Sequence, residues 1–416
     1  MVTLYDSSGI PISLSSLTAP SMEFEVIPSS YRTIGLTPQR LAALLKNTLT
    51  STLIPYLELA EEMEEKYPHY LAVLNTRKRA VTQLSLEVMP ADDSDHAHQQ
   101  VSFLRDWLEQ DILQDSLIDI LDALGKGFSV TEIIWETRET YWYPQSLKWR
   151  DPRHFCFLSD GQTLARCTSK GDSHRLTPYK FIIHHARAKS GLPVRGGLAR
   201  IGAWCYLFAN YGLKDWITFA EAYGQPLRLG RYHRGASEDD RSMLLRAVRD
   251  IGTDAAAIIP DSMRIEFQEA HRTASAALYE HLLVYLDHQV SKAVLGQTLT
   301  TDAGDGRSGS YALGRVHEGV RADIERSDAK QLATTVNRDL IRPMIDLNFG
   351  PQTRYPRVII GRPEDVDIKT LTQALKVLVP LGLKVNAHEI RDKLGIGHPC
   401  AEEELLSSQD KSGSKN

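Results

Sequence analysis

Apolar residues recur three and four places apart over much of this chain, the stripe of an amphipathic helix. Behind Pro38, which suits a first helical turn, the stripe runs through Leu41, Leu44, Leu45 and Leu49. Two further helical runs follow: LELAEEMEEKY, which is acidic, and HYLAVLNTRKRAVTQL, which carries Arg77, Lys78 and Arg79. A charge cluster on a helix is usually a solvated face, and that is the expectation for these three. PADDSDHAHQQ reads as a polar connector, and VSFLRDWLEQDILQDSLIDILDALGKG as one or two helices ending at Gly125 to Gly127. Then the period changes. FSVTEIIWE, FCFLSDGQTLARCT and YKFIIHHAR are short, β-branched and aromatic, with Gly, Pro and Asp between them, which predicts an antiparallel sheet. Residues 1–35, rich in Ser, Pro and Thr, lack helical periodicity and read as an extended arm or a strand or two. The N-terminal half is thus an α+β unit.

The second half is mostly helical. LARIGAWCYLFANYGLKDWITFAEAY is one long aromatic helix that stops at Gly224-Gln225-Pro226. PLRLGRY is strand-like, SEDDRSMLLRAVRDIG is a helix with a Ser237 cap and an acidic first turn, and AAAIIPDSMRIEFQEA supplies one or two strands. Such a β-α-β module of about forty residues is too small to hold much core by itself. A second long helix carries Leu278, Leu282, Leu286 and Val290 at i+4 spacing and ends at Gly296. Beyond a polar, glycine-rich stretch the helical pattern resumes at Val316, Val320 and Ile324, then at Leu332, Val336 and Leu340. Pro343 should kink it, and Gly350-Pro351 closes it. DIKTLTQALKVLVPLGL and NAHEIRDKLGI predict a short helical hairpin, and DKSGSKN a disordered tail. No repeat of fixed period is visible.

At 416 residues, the chain is long enough for two or three cooperating units. Its 42% apolar content supports real cores. A formal charge of -5 and a pI near 6.3 argue against tight, sequence-independent clamping of phosphates. The first basic residue is Arg32, and there is no apolar run long enough to cross a bilayer, so the expectation is cytosolic synthesis with no membrane partner. Cys156, Cys167, Cys205 and Cys400 lack CxxC spacing and read as reduced thiols, with neither a zinc site nor a disulfide framework indicated.

The stretch LGQTLTTDAGDGRSGSYALGRVH, residues 295–317, invites chemistry and fails each test. A P-loop needs Lys after its glycines, and none stands there; GKG at 125 to 127 lacks the first Gly and the hydroxyl. Gly306-Arg307-Ser308-Gly309-Ser310 puts glycine one place too early for a nucleophile elbow. His317-Glu318-Gly319-Val320-Arg321 has arginine where a zincin needs its second histidine. Asp302 and Asp305 are three apart with Arg307 among them, which does not fit a calcium loop. Alternation points His184 and His185 to opposite faces, and His281 and His288 have no acidic or cysteine partner at ligand spacing. No cofactor, metal or catalytic residue is indicated, so the residues read as non-enzymatic.

The order of segments is nevertheless distinctive: LNTRKRAVTQLSLEVMP, GFSVTEIIWE, RDPRHFCF, DWITFAEAYGQPLRLGRY, and KAVLGQTLTTDAGDGRSGSYALGRVHEGVRADIERSDAKQLATTVNRDLIRPMIDLNFG. Over roughly residues 20–405 this resembles the portal proteins of Mu-like bacteriophages and prophages, most specifically in LGQTLTT, Gly-Ser, VHEGVRADI and the Asn-Phe-Gly end, and in FAEAYGQP. The resemblance implies a tailed-phage portal fold, α+β and mainly helical, assembled as a ring of about twelve subunits at one head vertex. It implies an arm at 1–35, a wing at 36–202, stem helices at 203–225 and 269–296, and a β-α-β clip at 226–268. A tunnel loop follows at 297–310, then a kinked wing helix at 311–350, a crown-like helical region at 351–405 and a tail at 406–416.

The loop residues implied to line the DNA channel are Gln297, Thr298, Thr300, Thr301, Asp302, Gly304, Asp305, Gly306, Arg307, Ser308, Gly309 and Ser310. Hydroxyls, glycines and scattered acids would give a wet, weakly repulsive wall that does not grip phosphate. Clip residues implied to dock the packaging motor are Arg231, Arg234, Glu238, Asp239, Asp240 and Arg241. Implied partners are other copies of the chain, double-stranded DNA, the large terminase, capsid or scaffold proteins and head-completion proteins. The implied location is the virion, with assembly in the host cytoplasm. Two rival readings stand beside this one: a nuclease or ATPase subunit of the packaging machine, and a DNA-binding adaptor using the C-terminal hairpin as a helix-turn-helix.

Overall fold

The computed structural model describes residues 11, 14–18, 35–48, 52–167, 172–224, 228–233, 235–250, 256–260, 272–298, 311–362, 368–382, 385, 390 and 391. The chain divides into two compact units, Met1–Gly361 and Arg362–Asn416. The first unit begins with helices α1 (Leu14–Thr18), α2 (Pro38–Asn47), α3 (Ile54–Lys66) and α4 (Pro68–Thr82), then strand β1 (Ser85–Met89). Helices α5 (Asp95–Leu108), α6 (Ile112–Ile120) and α7 (Ala123–Lys126) lead into β2 (Phe128–Arg138), β3 (Tyr141–Arg150), β4 (Phe155–Phe157), β5 (Leu164–Cys167), β6 (Ser173–Arg175) and β7 (Phe181–His185). Next come α8 (Ala199–Gly224), β8 (Arg228–Tyr232), α9 (Glu238–Asp250), β9 (Ala256–Pro260) and α10 (Arg272–Leu295). The unit closes with α11 (Tyr311–Val336), a π-helical turn at Asn337–Ile341, α12 (Arg342–Phe349) and β10 (Arg357–Gly361). The second unit holds α13 (Ile368–Leu378).

Local signals account for much of this. Thr37 Oγ1 accepts from the Arg40 N–H at 3.2 Å and Pro38 occupies the first turn, where its missing donor is not needed, so α2 begins there and buries Leu41 and Leu45. Gly127 ends α7 at φ 99°, a conformation open to glycine, and a Cβ there would lie 2.7 Å from the Pro193 carbonyl. Leu332, Val336 and Leu340 are fully buried, as their spacing predicts. The same core holds Trp107, Tyr56, Tyr70 and Phe128, large side chains each stabilising it by roughly 1.5–3 kcal/mol through burial.

The sheets β3-β2-β7 and β4-β5-β6 are antiparallel, as expected for this region, and a further antiparallel pair, β1-β10, was not foreseen. Four of these strands, β1, β3, β6 and β10, lie outside the sequence reading. β3 contains Pro144, which sits at a bulge where the register shifts between Ile134 and Trp135. β10 pairs with β1 across the whole unit, so the region expected to be helical from residue 351 opens with a strand of the first unit.

Other expectations are corrected. Among its described residues the arm contains a short helix, α1, which rests on β2 and buries Leu17. The polar connector shortens to residues 90–94, because Ser94 Oγ accepts from Ala97 N–H and starts α5 at Asp95. The charge cluster on α4 is not a solvated face. Arg79 is exposed, but Lys78 is buried between Glu64 and Asp122, 3.3 and 3.4 Å away, and Arg77 turns toward α10 and α11. Lys126 lies 2.5 Å from both Glu61 and Asp122 and 5.5 Å from the Trp149 ring. Burial opposes the Asp122 charge, yet Lys126 and Lys78 hold its carboxyl below the usual carboxylate range. Cys156 and Cys167 are joined in a disulfide, Cα atoms 6.0 Å apart, because the β4-β5 pairing of Cys156 with Ala165 brings the two close. That overturns the reading of both as reduced; Cys205 is a free thiol and Cys400 lies outside the described residues.

Pro343 was expected to kink the long C-terminal helix. The irregularity is a π turn just before it, in which the Arg342 N–H reaches the Asn337 carbonyl five residues back. Gly350, at φ 76°, then ends α12.

Candidate channel loop and docking module

α8 and α10 pack along each other. Gly212 on α8 faces α10, where a Cβ would stand at ordinary contact distance, 3.4 Å from Leu282 and 3.5 Å from Leu283, and Phe219 meets Tyr279 with ring centroids 5.9 Å apart. On α10, Leu286 and Val290 are buried, but Leu278 and Leu282 of the same stripe are 67% and 40% exposed. Val284 and Tyr285 on α10, and Phe208, Leu213 and Ile217 on α8, are exposed too. A single copy therefore leaves several large apolar side chains on this helix pair without cover, a pattern that marks interaction surfaces.

The C-terminal half of α10 is held firmly by α4 and its preceding turn. Tyr67 Oη donates to Asp287 Oδ1 at 2.7 Å, and His69 Nε2 lies 2.7 Å from Ser291 Oγ. Burial, then the bond to Asp287, pushes the Tyr67 hydroxyl well above its ordinary range, so it stays a donor. Arg77 closes the series: Nε and Nη2 donate to Asp328 of α11 at 2.7 and 2.9 Å, and Nη1 donates to the Val294 carbonyl at 2.7 Å. One guanidinium thus satisfies a last-turn carbonyl of α10 while joining α10 to α11. Gly296, at φ 69°, follows at once, with Val320 and Ile324 so near that a Cβ would stand 3.1 Å from each.

These contacts fix the root of the glycine-rich stretch. Gln297, expected to line a channel, is only 3% exposed and belongs to that root, and Thr298 is half-buried. Thr300, Thr301, Asp302, Gly304, Asp305, Gly306, Arg307, Ser308, Gly309 and Ser310 lie outside the described residues.

The module between α8 and α10 is the expected β-α-β. β8 and β9 pair in parallel, Gly230 opposite Ile258, with α9 between them in sequence. Ser237 Oγ accepts from the Asp240 N–H at 3.2 Å while the Asp240 carboxylate accepts from the Ser237 N–H and hydroxyl, a reciprocal cap. The Ser237 bonds hold the Asp240 carboxyl below its ordinary range. Arg241 pairs with Glu238 at 2.9 Å and lies over the Tyr232 ring at 4.9 Å. Of the six docking candidates, Asp240 and Arg241 thus build the module itself. Arg231, Glu238 and Asp239 are exposed, and Arg234 lies outside the described residues.

His184 and His185 do point opposite ways. His184 is buried with Nδ1 2.9 Å from Thr335 Oγ1 on α11, whereas His185 packs on Phe157. Among the described residues no group of three or more His, Cys, Asp or Glu could hold a metal, and no helix is long and apolar enough to cross a membrane. Sequence reasoning missed the Arg77-Asp328 anchor and the exposed faces of α8 and α10. The i+4 stripe on α10 was visible, but nothing local tells which half of it is covered.

The described geometry defines a class: an α+β subunit in which a β-α-β module interrupts two long packed helices whose outer faces are apolar. Sequence comparison supplies the family. Residues 57–396 match the family described as the portal protein of Mu bacteriophage, and the chain belongs to that family. It is 34% identical to the Mu-like prophage FluMu protein gp29 of Haemophilus influenzae, over 97% of this chain and 80% of that protein. It is likewise 34% identical to the portal protein of Escherichia phage Mu, over 90% of this chain and 74% of that one. The family is one of structural portal proteins and is not known to be enzymatic. Among solved structures, a chain from the neck of an empty GTA particle, computed with C6 symmetry, matches 81% of this chain and 94% of its own, with a TM-score of 0.49 at 12% identity. A chain from the virion of a native gene transfer agent particle matches with a TM-score of 0.46, also at 12% identity, over 86% and 94%. The family assignment rests on the sequence relatives.

Proposed function

We propose that the chain is the subunit of a portal ring of about twelve copies at one vertex of a phage head, through which double-stranded DNA enters and later leaves. The observation that carries this, given the family, is the uncovered apolar face of α8 and α10, which neighbours in a ring would bury. In this reading residues 36–202 and 311–350 form the wing, α8 and α10 the stem, and residues 226–268 the clip. Arg231, Glu238 and Asp239 then stand where the clip would meet the large terminase, and afterwards head-completion proteins. The wing would meet capsid or scaffold proteins. Residues 297–310 act as the tunnel loop, its root anchored by Arg77 and Gly296 and its polar, glycine-rich remainder offering hydroxyls and few cations to the DNA. Assembly takes place in the host cytoplasm and the ring ends in the virion. Native mass measurement and negative-stain microscopy of the purified chain test the reading. Closed rings with a central hole are the expected result, and a stable monomer that cleaves DNA or turns over ATP would overturn it.

A further inference from the structure

Three sheet edges in the first unit are closed in the same way, by a side chain that imitates a strand. Asn337 in the π turn accepts from the Val358 N–H and donates to the Val358 carbonyl, both at 2.7 Å, which caps the outer edge of β10. The next two residues cap β7: Asp339 accepts from the Ile183 N–H at 2.9 Å and Arg338 donates to the Ile183 carbonyl at 2.8 Å. Asn348 caps β3, accepting from the Trp142 N–H at 2.7 Å and donating to its carbonyl at 2.9 Å. Unpaired edges invite other strands, and folds close them.

Among the described residues β1 has no such cap and one sheet neighbour, β10, with Val88 opposite Val358 and Leu86 opposite Ile360. Val358 directs its backbone groups outward to Asn337, so Val88-Val358 is a pair without mutual ladder bonds, and so, two residues on, is Leu86-Ile360. Leu86 and Val88 must then point their own N–H and C=O groups at the free edge. Among the described residues no strand takes them up; the Val88 carbonyl meets only the Arg105 guanidinium, at a long 3.5 Å. This edge faces an open groove of about 660 Å³, walled by Arg105, Leu108, Glu109, Asp111 and Gln114. Glu87, Glu109 and Asp111 are exposed there against a single cation, Arg105.

We propose that the free edge of β1 is a docking site for an extended segment of another polypeptide. That segment adds itself as a strand beside Leu86 and Val88, with aliphatic residues alternating with Lys or Arg. Strand addition draws its affinity from main-chain hydrogen bonds and its selectivity from alternate side chains. The half-buried Leu86 and the buried Val88 supply the apolar face of the groove, and the excess of carboxylates selects a basic partner.

A fluorescent, end-capped hexapeptide, Lys-Val-Lys-Val-Lys-Val, titrated against the full chain by anisotropy, tests this. Saturable binding is expected. It should weaken roughly tenfold or more for the same peptide N-methylated at alternate residues, which removes two main-chain bonds, and for Asp-Val-Asp-Val-Asp-Val. Leu86→Pro removes a donor from the free edge without touching the β1-β10 ladder, so it should keep the native circular dichroism and lose the peptide. Glu109→Lys with Asp111→Lys should weaken binding with the backbone intact, which covers the case of a Leu86→Pro chain that does not fold. Equal binding of the N-methylated peptide means a charged surface and no strand addition, and overturns the proposal. Absence of binding with every probe overturns it as well. So does a change in native assembly mass in Leu86→Pro without peptide binding, which would give the edge to a second copy of this chain.

Discussion

Arg77 is where the character of a single residue is most visible. Its charge reads as surface in the sequence, yet its partner Asp328 is buried and lies 251 residues away, a separation at which no local pattern carries information. Arg77→Ala leaves that carboxylate buried and unpaired, and should cost about 3–5 kcal/mol in urea unfolding. Removing Asp328 as well should restore a large part of the loss; a double variant as unstable as the sum of the singles would show that the pair is not what holds the anchor. His184 offers a second test at this scale. Burial, then the charges of His185 and Arg338, hold its pKa down to about 3, and burial with Arg338 and Arg187 holds His185 at about 4. An unfolded histidine titrates near ~6.5. Between that value and 3 the unfolded chain binds a proton that the native His184 refuses, so the contribution is present above pH ~6.5 and drains away on acidification. His184→Gln keeps a partner for Thr335 and removes the titration, so its stability should fall less than that of the unaltered chain between pH 7 and 4.5. An equal fall would place the acid sensitivity elsewhere.

At the level of elements, the helices were legible because their signals are local: Pro38 at a first turn, Gly127 and Gly350 at ends, buried positions at i+3 and i+4. The β-α-β module was legible for the same reason, since the period changes twice within it and Ser237 marks the helix start. Pairing was not legible. β10 offers three apolar residues in a row, β3 hides a proline in a bulge, and the Cys156-Cys167 bridge depends on a register that spacing alone does not fix. The strand caps were equally hidden, because Asn337 and Asn348 look like ordinary polar positions on a helix. Asn337→Ala should cost about 2–3 kcal/mol, since it strands both polar groups of a buried Val358. A loss under half of that in chemical unfolding would mean that water replaces the amide. Gly212 makes a prediction of two signs. Alanine there meets Leu282 and Leu283 at ordinary contact distance and should raise stability by up to about 1 kcal/mol, whereas leucine should push α8 and α10 apart and lower it. A destabilising alanine would mean that the helices sit closer than described.

The whole molecule is defined by what one copy leaves uncovered. Ile217 and Leu278 lie on the exposed side of the long helix pair, where lysine costs an isolated chain little, within about 0.5 kcal/mol. If neighbouring subunits cover that face, Ile217→Lys with Leu278→Lys should give a folded monomer of unchanged melting behaviour that no longer assembles; rings of normal mass from this variant would remove the helix pair from the interface. The loop then separates assembly from transport. Its root is bound into the subunit through Arg77, Gly296 and the buried Gln297, so excising residues 300–309 removes chain beyond the anchor and leaves the anchor's own contacts in place. Because assembly in the proposed ring draws on the faces of α8 and α10, the excised chain should form rings of the mass expected for shortened subunits. If, as proposed, the excised residues are the ones offered to DNA, phage particles built on those rings should fail to fill or to retain their genomes. A deletion that instead unfolds the subunit, read as a lost melting transition, would make the loop a structural brace between α10 and α11. A deletion that packages normally would remove it from the path of the DNA.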